Sequence, residues 1–235
     1  MIPFSKIAAI SFDAGGTLIR PYPSVGHVYS EILSSHGVTV EPSLLNRSFR
    51  SALKEETTVH RGKITECSEK SYWCRIVRKT FGTTVNKELF EIVFEDLYET
   101  FASANRWELV EGAKEILVLA RDLGFRLAVL SNSDQRFRKV FRELEILPFF
   151  EEVFLSSEIG IEKPHINTFR HVESALKLSP AALLHVGDSI DHDVNGAIAA
   201  GWHHLLVGRN RLPSPYRQID SLQELMPLLE NTTFS

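Results

Sequence analysis

Six largely apolar residues, Ile7-Ala8-Ala9-Ile10-Ser11-Phe12, stop at an acid, Asp13, and Gly15-Gly16 breaks the pattern two residues on. A run so short and apolar reads as a strand buried on both faces, the kind found in parallel sheets. The glycines then allow a tight turn. A carboxylate is thereby set at the carboxyl end of a buried strand, where parallel sheets bind their ligands.

The partners of that strand come only after an interruption. From about residue 24 to 102 the pattern is helical, with stretches near 25–36, 42–57, 66–80 and 86–101. Apolar residues recur there at three and four, as in Leu89, Ile92, Val93, Leu97 and Phe101. No convincing strand lies among them. Strand and helix then alternate. A helix over 112–123 ends at Gly124 as a C-cap, and 125–131 is a strand. Ser133 is expected to cap a helix over 134–145, and a short strand follows at 152–155. A helix over 166–178, a strand at 182–187, a helix over 192–200 and a strand at 203–207 continue the alternation. A proline-containing loop and a last helix near 221–230 close it. Such alternation means βαβ units with right-handed crossovers. The expected class is α/β: a Rossmann-like core over 1–20 and 104–235, its parallel sheet flanked by helices, with an inserted all-helical cap over 21–103.

The 235 residues suit a core domain with a smaller insert. The net charge is -4 and no dense Lys/Arg run occurs, which argues against a nucleic-acid partner. The longest basic stretch, Arg136, Arg138, Lys139 and Arg142, falls at helical spacing and reads as a solvated face. No apolar run approaches the roughly 20 residues that span a bilayer. The first residues lack the charged-then-apolar pattern of a secretory leader. The chain is therefore expected to be cytoplasmic, with no membrane partner. Cys67 and Cys74 on one helix would stand about 10 Å apart along its axis, beyond the reach of about 7 Å for a disulfide. His203-His204 opens a strand and points to opposite faces, so both read as structural, with no zinc site.

The polar residues that follow apolar strands are Asp13, Ser131 with Asn132, and Asp188 after Gly187. Asp13, Asp188 and Asp193 are expected to converge beside one cleft. Like carboxylates so placed repel unless a cation neutralises them, and oxygen ligands favour a hard ion, usually Mg²⁺ beside a phosphate. Phe12-Asp13-Ala14-Gly15-Gly16-Thr17-Leu18 resembles the first motif of the haloacid dehalogenase (HAD) superfamily. Leu130-Ser131-Asn132 resembles the second and Lys163-Pro164 the third. His185-Val186-Gly187-Asp188-Ser189, with Asp193 behind it, resembles the fourth. The four come in order, and the helical insert lies where that family places a type-1 cap.

The resemblance implies a Mg²⁺-dependent phosphatase of a small phosphorylated metabolite, acting as a monomer or homodimer, with an aspartyl-phosphate formed on Asp13. It implies Mg²⁺ held by Asp13, the backbone carbonyl of Gly15 and Asp188, with Asp193 acting through water. It implies phosphate binding by Ser131, Asn132 and nearby backbone N–H groups, and charge neutralisation by Lys163.

One position departs from the family. Its phosphatases carry a second aspartate two residues after the nucleophile, which protonates the leaving group and later activates water; here that residue is Gly15. Such a group contributes about 10²–10⁴-fold. Alkyl phosphates should turn over slowly unless Asp134, a cap residue or the substrate supplies the proton. The alternatives are a nearly inactive member that binds a phosphometabolite or a protein, a phosphonatase using a cap lysine such as Lys54, and a haloacid dehalogenase. The family's dehalogenases lack the Gly-Asp pair retained here at Gly187-Asp188. Its phosphonatases usually carry arginine where this chain has Lys163, and Lys54 reads as a solvated helix residue. Tyr22, Tyr72, Trp73 and Trp107 are aromatics that could face a substrate, although helical spacing favours a place in the core of the cap.

Overall fold

The computed structural model describes residues 2–57, 62–208 and 216–231. Strand β1 (Ala9–Phe12) is buried at every position, as its apolar run requires. The chain passes through β2 (Ile19–Pro21) into four helices, α1 (Val25–Ser35), α2 (Pro42–Thr57), α3 (Glu66–Phe81) and α4 (Lys87–Thr100). It returns through β3 (Trp107–Leu109), antiparallel to β2. Then come α5 (Ala113–Asp122), β4 (Arg126–Ser131), α6 (Arg136–Glu143), β5 (Glu152–Leu155), α7 (Ser156–Ile159) and α8 (Ile166–Leu176). Strand β6 (Leu183–Gly187), α9 (Asn195–Ala200), β7 (His203–Val207), β8 (Gln218–Ile219) and α10 (Leu225–Glu230) complete the order.

Six strands form one parallel sheet in the order β5-β4-β1-β6-β7-β8. The direction of strand addition reverses at β1. Phe12 lies opposite Val129 of β4 and Val186 of β6, so the carboxyl ends of the three central strands emerge side by side. Chain connections leave such a point in opposite directions and open a crevice there.

Apolar layers cover both faces of the sheet. One contains Ile10, Phe12, Ile116 and Phe141. The other contains Leu130, Phe169, Leu183 and Trp202. Phe169 sets its ring edge-to-face against His185 at 5.6 Å and Trp202 at 5.3 Å between centroids. Helices α1 to α4 have an apolar cluster of their own around Val28, Leu33, Phe81, Phe90 and Val93. Helix α3 starts at a reciprocal capping box between Thr65 and Ser68. Asn86 accepts the Leu89 N–H to start α4.

The structure changes several local expectations. The buried stripe of α4 is Phe90, Val93, Phe94 and Leu97. Ile92 is 55% exposed, because burial at 90 and 94 rotates it outward. Helix α6 starts at Arg136, and Ser133 does not cap it: the Ser133 hydroxyl is buried without a hydrogen-bond partner. Asp134 accepts the Arg136 N–H instead. The helix after β6 opens as a wide π-type turn over Ile190–Val194 before α9. The sequence pattern also missed β2, β3, α7 and β8, which are too short to show a period. Part of the proline-containing loop, 209–215, lies outside the described residues. Cys67 and Cys74 are free thiols. Among the described residues no helix is long and apolar enough to cross a membrane.

Phe169 is fully buried and braces the back of the site through His185. Phe169→Ala is expected to lower stability by about 3–5 kcal/mol in urea unfolding, from lost burial plus the cavity left behind.

Candidate active site

Asp13 follows β1 directly, and its N–H bonds to the Val186 carbonyl at 2.8 Å. Strand pairing thus aims the side chain into the crevice between β4 and β6. Its Oδ1 accepts from Lys163 Nζ at 2.8 Å. The same ammonium donates to Asp193 Oδ1 at 2.6 Å. Lys163 is 1% exposed. An ammonium that deep is tolerated only when paired, and here two carboxylates flank it.

Each partner is itself held. Asn132 Oδ1 accepts the Lys163 N–H and its Nδ2 donates to the Lys163 carbonyl, both at 2.8 Å. His192 Nδ1 reaches the same carbonyl at 3.0 Å. Asp193 Oδ1 accepts from His185 Nε2 at 3.0 Å, and Oδ2 from the Ser189 N–H at 2.9 Å. Because an ionised carboxylate only accepts, His185 carries its hydrogen on Nε2 and takes the Ser11 hydroxyl on Nδ1 at 3.2 Å.

Two glycines make the approach possible. A Cβ on Gly16, where φ is +96°, would stand 2.3 Å from Asp188 Oδ2. A Cβ on Gly187 would stand 2.2 Å from the Asp193 carboxyl carbon. Gly15 differs: a Cβ there meets no atom within 4 Å.

Asp13, Asp188 and Asp193 each offer an oxygen within 4.8 Å of the others. Three carboxylates share one ammonium, and the protonation balance reflects that. Burial opposes ionisation of Asp193, but the Lys163 charge and the His185 hydrogen bond hold its carboxyl well below the usual range. Burial raises Asp13, with Asp193 adding repulsion and Lys163 only partly compensating. Asp188 is exposed on the open side of the cleft, but desolvation by the surrounding walls and repulsion from Asp13 and Asp193 push it up to about 7. Burial works against the Lys163 charge, yet Asp13 and Asp193 together raise it. Burial, then the Lys163 charge, lowers His185 and keeps it neutral. Asp13, only partly neutralised by Lys163, and Asp188 form a donor set that a hard divalent cation fits.

Ser131, Asn132, Gly15 and Asp188 line one cavity with Asp13, Lys163 and Asp193, so all the sequence-derived site residues meet there. Two of them are already engaged within the protein. Asn132 bonds the Lys163 backbone through both ends of its amide, so its side chain positions the lysine. Asp193 has its oxygens taken by Lys163, His185 and Ser189.

Of the four aromatics singled out, Tyr72, Trp73 and Trp107 line the cavity, and Tyr22 is 50% exposed outside it. Lys54 is exposed on α2 and does not line it, and among the described residues of α1 to α4 no lysine lines the cavity. Arg136 leaves the basic face to which its spacing assigned it. It pairs with buried Asp134 at 2.7 Å and stacks 3.5 Å above the Tyr98 ring. With both oxygens so engaged and a further bond from Tyr98, Asp134 is tied up as a substitute acid. Sequence reading missed Glu56, Tyr98 and His192 as cavity residues. No local signal marks them, because each reaches the site through packing of a separate element.

A parallel sheet with carboxylates and a lysine gathered at its strand ends, roofed by helices, defines a Rossmann-like α/β protein with an acid–lysine centre. The chain belongs to the haloacid dehalogenase-like hydrolase family, whose model matches residues 7–201. It is 31% identical over 206 residues to the haloacid dehalogenase-like hydrolase domain-containing protein 3 of Xenopus laevis, covering 86% of this chain and 84% of that one. Among solved structures it superposes on a magnesium-bound HAD-hydrolase of Bacillus subtilis with a TM-score of 0.74 at 18% identity, covering 95% and 99% of the two chains. The L-2-haloacid dehalogenase of Xanthobacter autotrophicus gives 0.70 at 18% identity, covering 95% and 98%. Likeness at that identity establishes the fold.

Raised in the folded state from 3.8, Asp188 imposes no penalty below its unfolded value. The penalty grows as pH rises and is complete above about 7. Asp188→Asn is therefore expected to stabilise the metal-free protein near about pH 8 and not near about pH 4, as read by urea unfolding in chelator.

Proposed function

We propose that this protein is a Mg²⁺-dependent phosphatase that works through an aspartyl-phosphate on Asp13. The observation that carries this reading is buried Asp13 held 2.8 Å from Lys163 Nζ, with Asp188 beside it in an open cavity. Asp13 attacks phosphorus and the bond to the leaving oxygen breaks. Lys163 holds Asp13 in line and offsets charge on the phosphoryl oxygens. The Ser131 hydroxyl binds a phosphate oxygen, and Asn132 keeps Lys163 in place. Asp13, the Gly15 carbonyl and Asp188 would hold the metal, and Asp193 would act through water on the remaining acceptor position of Oδ2. When bound, Mg²⁺ supplies charge neutralisation at the phosphoryl group. Residues 21–103 serve as the cap, excluding water from the closed cleft.

With Mg²⁺, the purified protein is expected to hydrolyse acetyl phosphate, whose leaving group needs no proton. Asp13→Asn should abolish that turnover, read as phosphate release. Equal release by the variant would sink the reading. A second variant tests the missing acid. Since position 15 has room for a side chain, Gly15→Asp is expected to raise hydrolysis of an alkyl phosphate by about 10²–10⁴-fold. No acetyl phosphate turnover in the wild type and no gain in Gly15→Asp would leave a binding module as the better account.

A further inference from the structure

The cavity over Asp13 encloses about 430 Å³, within the range of about 300–1,000 Å³ usual for small-molecule sites. Its two ends differ in chemistry. Polar groups come from the strand ends of the core: Asp13, Ser131, Lys163 and Asp188. The cap side is lined by Tyr29, Phe49, Leu53, Tyr72, Trp73 and Phe94, contributed by all four helices. Several of these rings already meet edge-to-face, Tyr29 with Phe49 at 6.0 Å and Tyr72 with Trp73 at 5.5 Å, a geometry that accepts a further ring.

Charge limits what fits there. Among the described residues, Lys163 and Arg136 are the lysine and arginine side chains lining the cavity. Lys163 serves Asp13 and Asp193. Arg136 is held by bonds from each of its three nitrogens, two to Asp134 and one to the Tyr98 carbonyl. Glu56, 4% exposed in the cap wall, bonds Arg75 at 2.9 Å and Lys79 at 3.1 Å, and stays ionised there. Both cations are engaged within the protein and Glu56 is matched by Arg75 and Lys79, so among the described lining residues no lysine or arginine is set aside for a second anionic group. The occupant therefore carries a single phosphate and a neutral, apolar remainder.

Gly15 limits it independently. With no acid at that position, the leaving oxygen departs as an anion. A phenol ionises near about 10, whereas a hydroxyl like that of water ionises near about 15.7. A phenolate leaves without help and an alkoxide does not.

Resting on the phosphatase reading above, we propose that the substrate is the phosphate monoester of a phenol, its aryl group filling the cap cavity and its phosphate seated at Asp13. A carboxylate oxygen of Asp13 forms a bond to phosphorus. The P–O(aryl) bond breaks, and its electron pair leaves with the phenolate, which takes a proton from water. Water then attacks the aspartyl-phosphate, releasing phosphate and restoring the Asp13 carboxylate. The aromatic lining discriminates by shape and by burial of the ring.

The test compares naphthyl, acetyl and hexyl phosphate on the full chain with Mg²⁺, in wild type, Leu53→Trp and Trp73→Ala. Acetyl phosphate carries a good leaving group with nothing to fill the cavity. Hexyl phosphate fills it with a poor one. For wild type, kcat/KM is expected to favour naphthyl over acetyl phosphate by at least about tenfold, from ring burial, and over hexyl phosphate by at least about 100-fold, from the absent acid. Whichever variant melts as a folded protein should lower the naphthyl-to-acetyl ratio by at least about tenfold. A wild type that prefers acetyl or hexyl phosphate, or a folded variant with an unchanged ratio, overturns the aryl inference while acetyl phosphate turnover keeps the phosphatase. Absence of Asp13-dependent turnover on all three removes both.

Discussion

One buried ammonium organises the site. Lys163 sits between Asp13 and Asp193 at 2.8 and 2.6 Å, and its burial is tolerable only because both carboxylates are there. The three residues come from distant parts of the chain: the end of β1, the loop before α8 and the turn before α9. The contact therefore closes only when β1, β6 and the intervening connections are all in place. Its neighbours are held in turn. Asn132 grips the Lys163 backbone through both ends of its amide, and neutral His185 fixes Asp193. Phe169 and Trp202 pack behind that imidazole, so the apolar core and the charged centre are one continuous structure.

The same arrangement leaves an imbalance. One ammonium cannot neutralise three carboxylates, and Asp193 takes the larger share of it. Asp13 and Asp188 are left facing each other in the cleft with raised values. That is an unfavourable state for the protein alone and a favourable one for a protein with a hard cation. Close approach of the acids depends on Gly16 and Gly187, whose missing side chains make room for Asp188 and Asp193. The motif glycines are thus spacers set by two carboxylates as much as turn formers.

Gly15 has no such steric reason, since a side chain there meets open space. Its identity concerns chemistry over the nucleophile. On the proposed phosphatase reading, a site with Asp13 as nucleophile and no proton donor beside it suits leaving groups that need none. The cap presents the matching half of that constraint, an aromatic chamber whose charged groups already satisfy one another. Neither half alone suggests a substrate class; the two together carry the proposed aryl phosphate.

The order of the main elements and the polar residues at the strand ends can be read from the residues alone. Asp13, Ser131, Lys163 and Asp188 were legible because each follows an apolar run or a motif of fixed spacing, and strand burial forces a polar residue there to the edge of the sheet. The helical insert was legible from its period, although the buried stripe of α4 turned out to centre on Phe90 and Phe94, because rotation about a helix axis is set by its neighbours. Only the tertiary structure decided what the polar groups do to one another. Asn132 binds a backbone, His185 holds an acid, and Arg136 abandons a solvent face for Asp134 and Tyr98. It also decided that Glu56 and rings from four separate helices meet over Asp13. Spacing along a chain carries information about one element at a time. Contacts between elements are fixed by packing, to which residues a hundred or more positions apart contribute together.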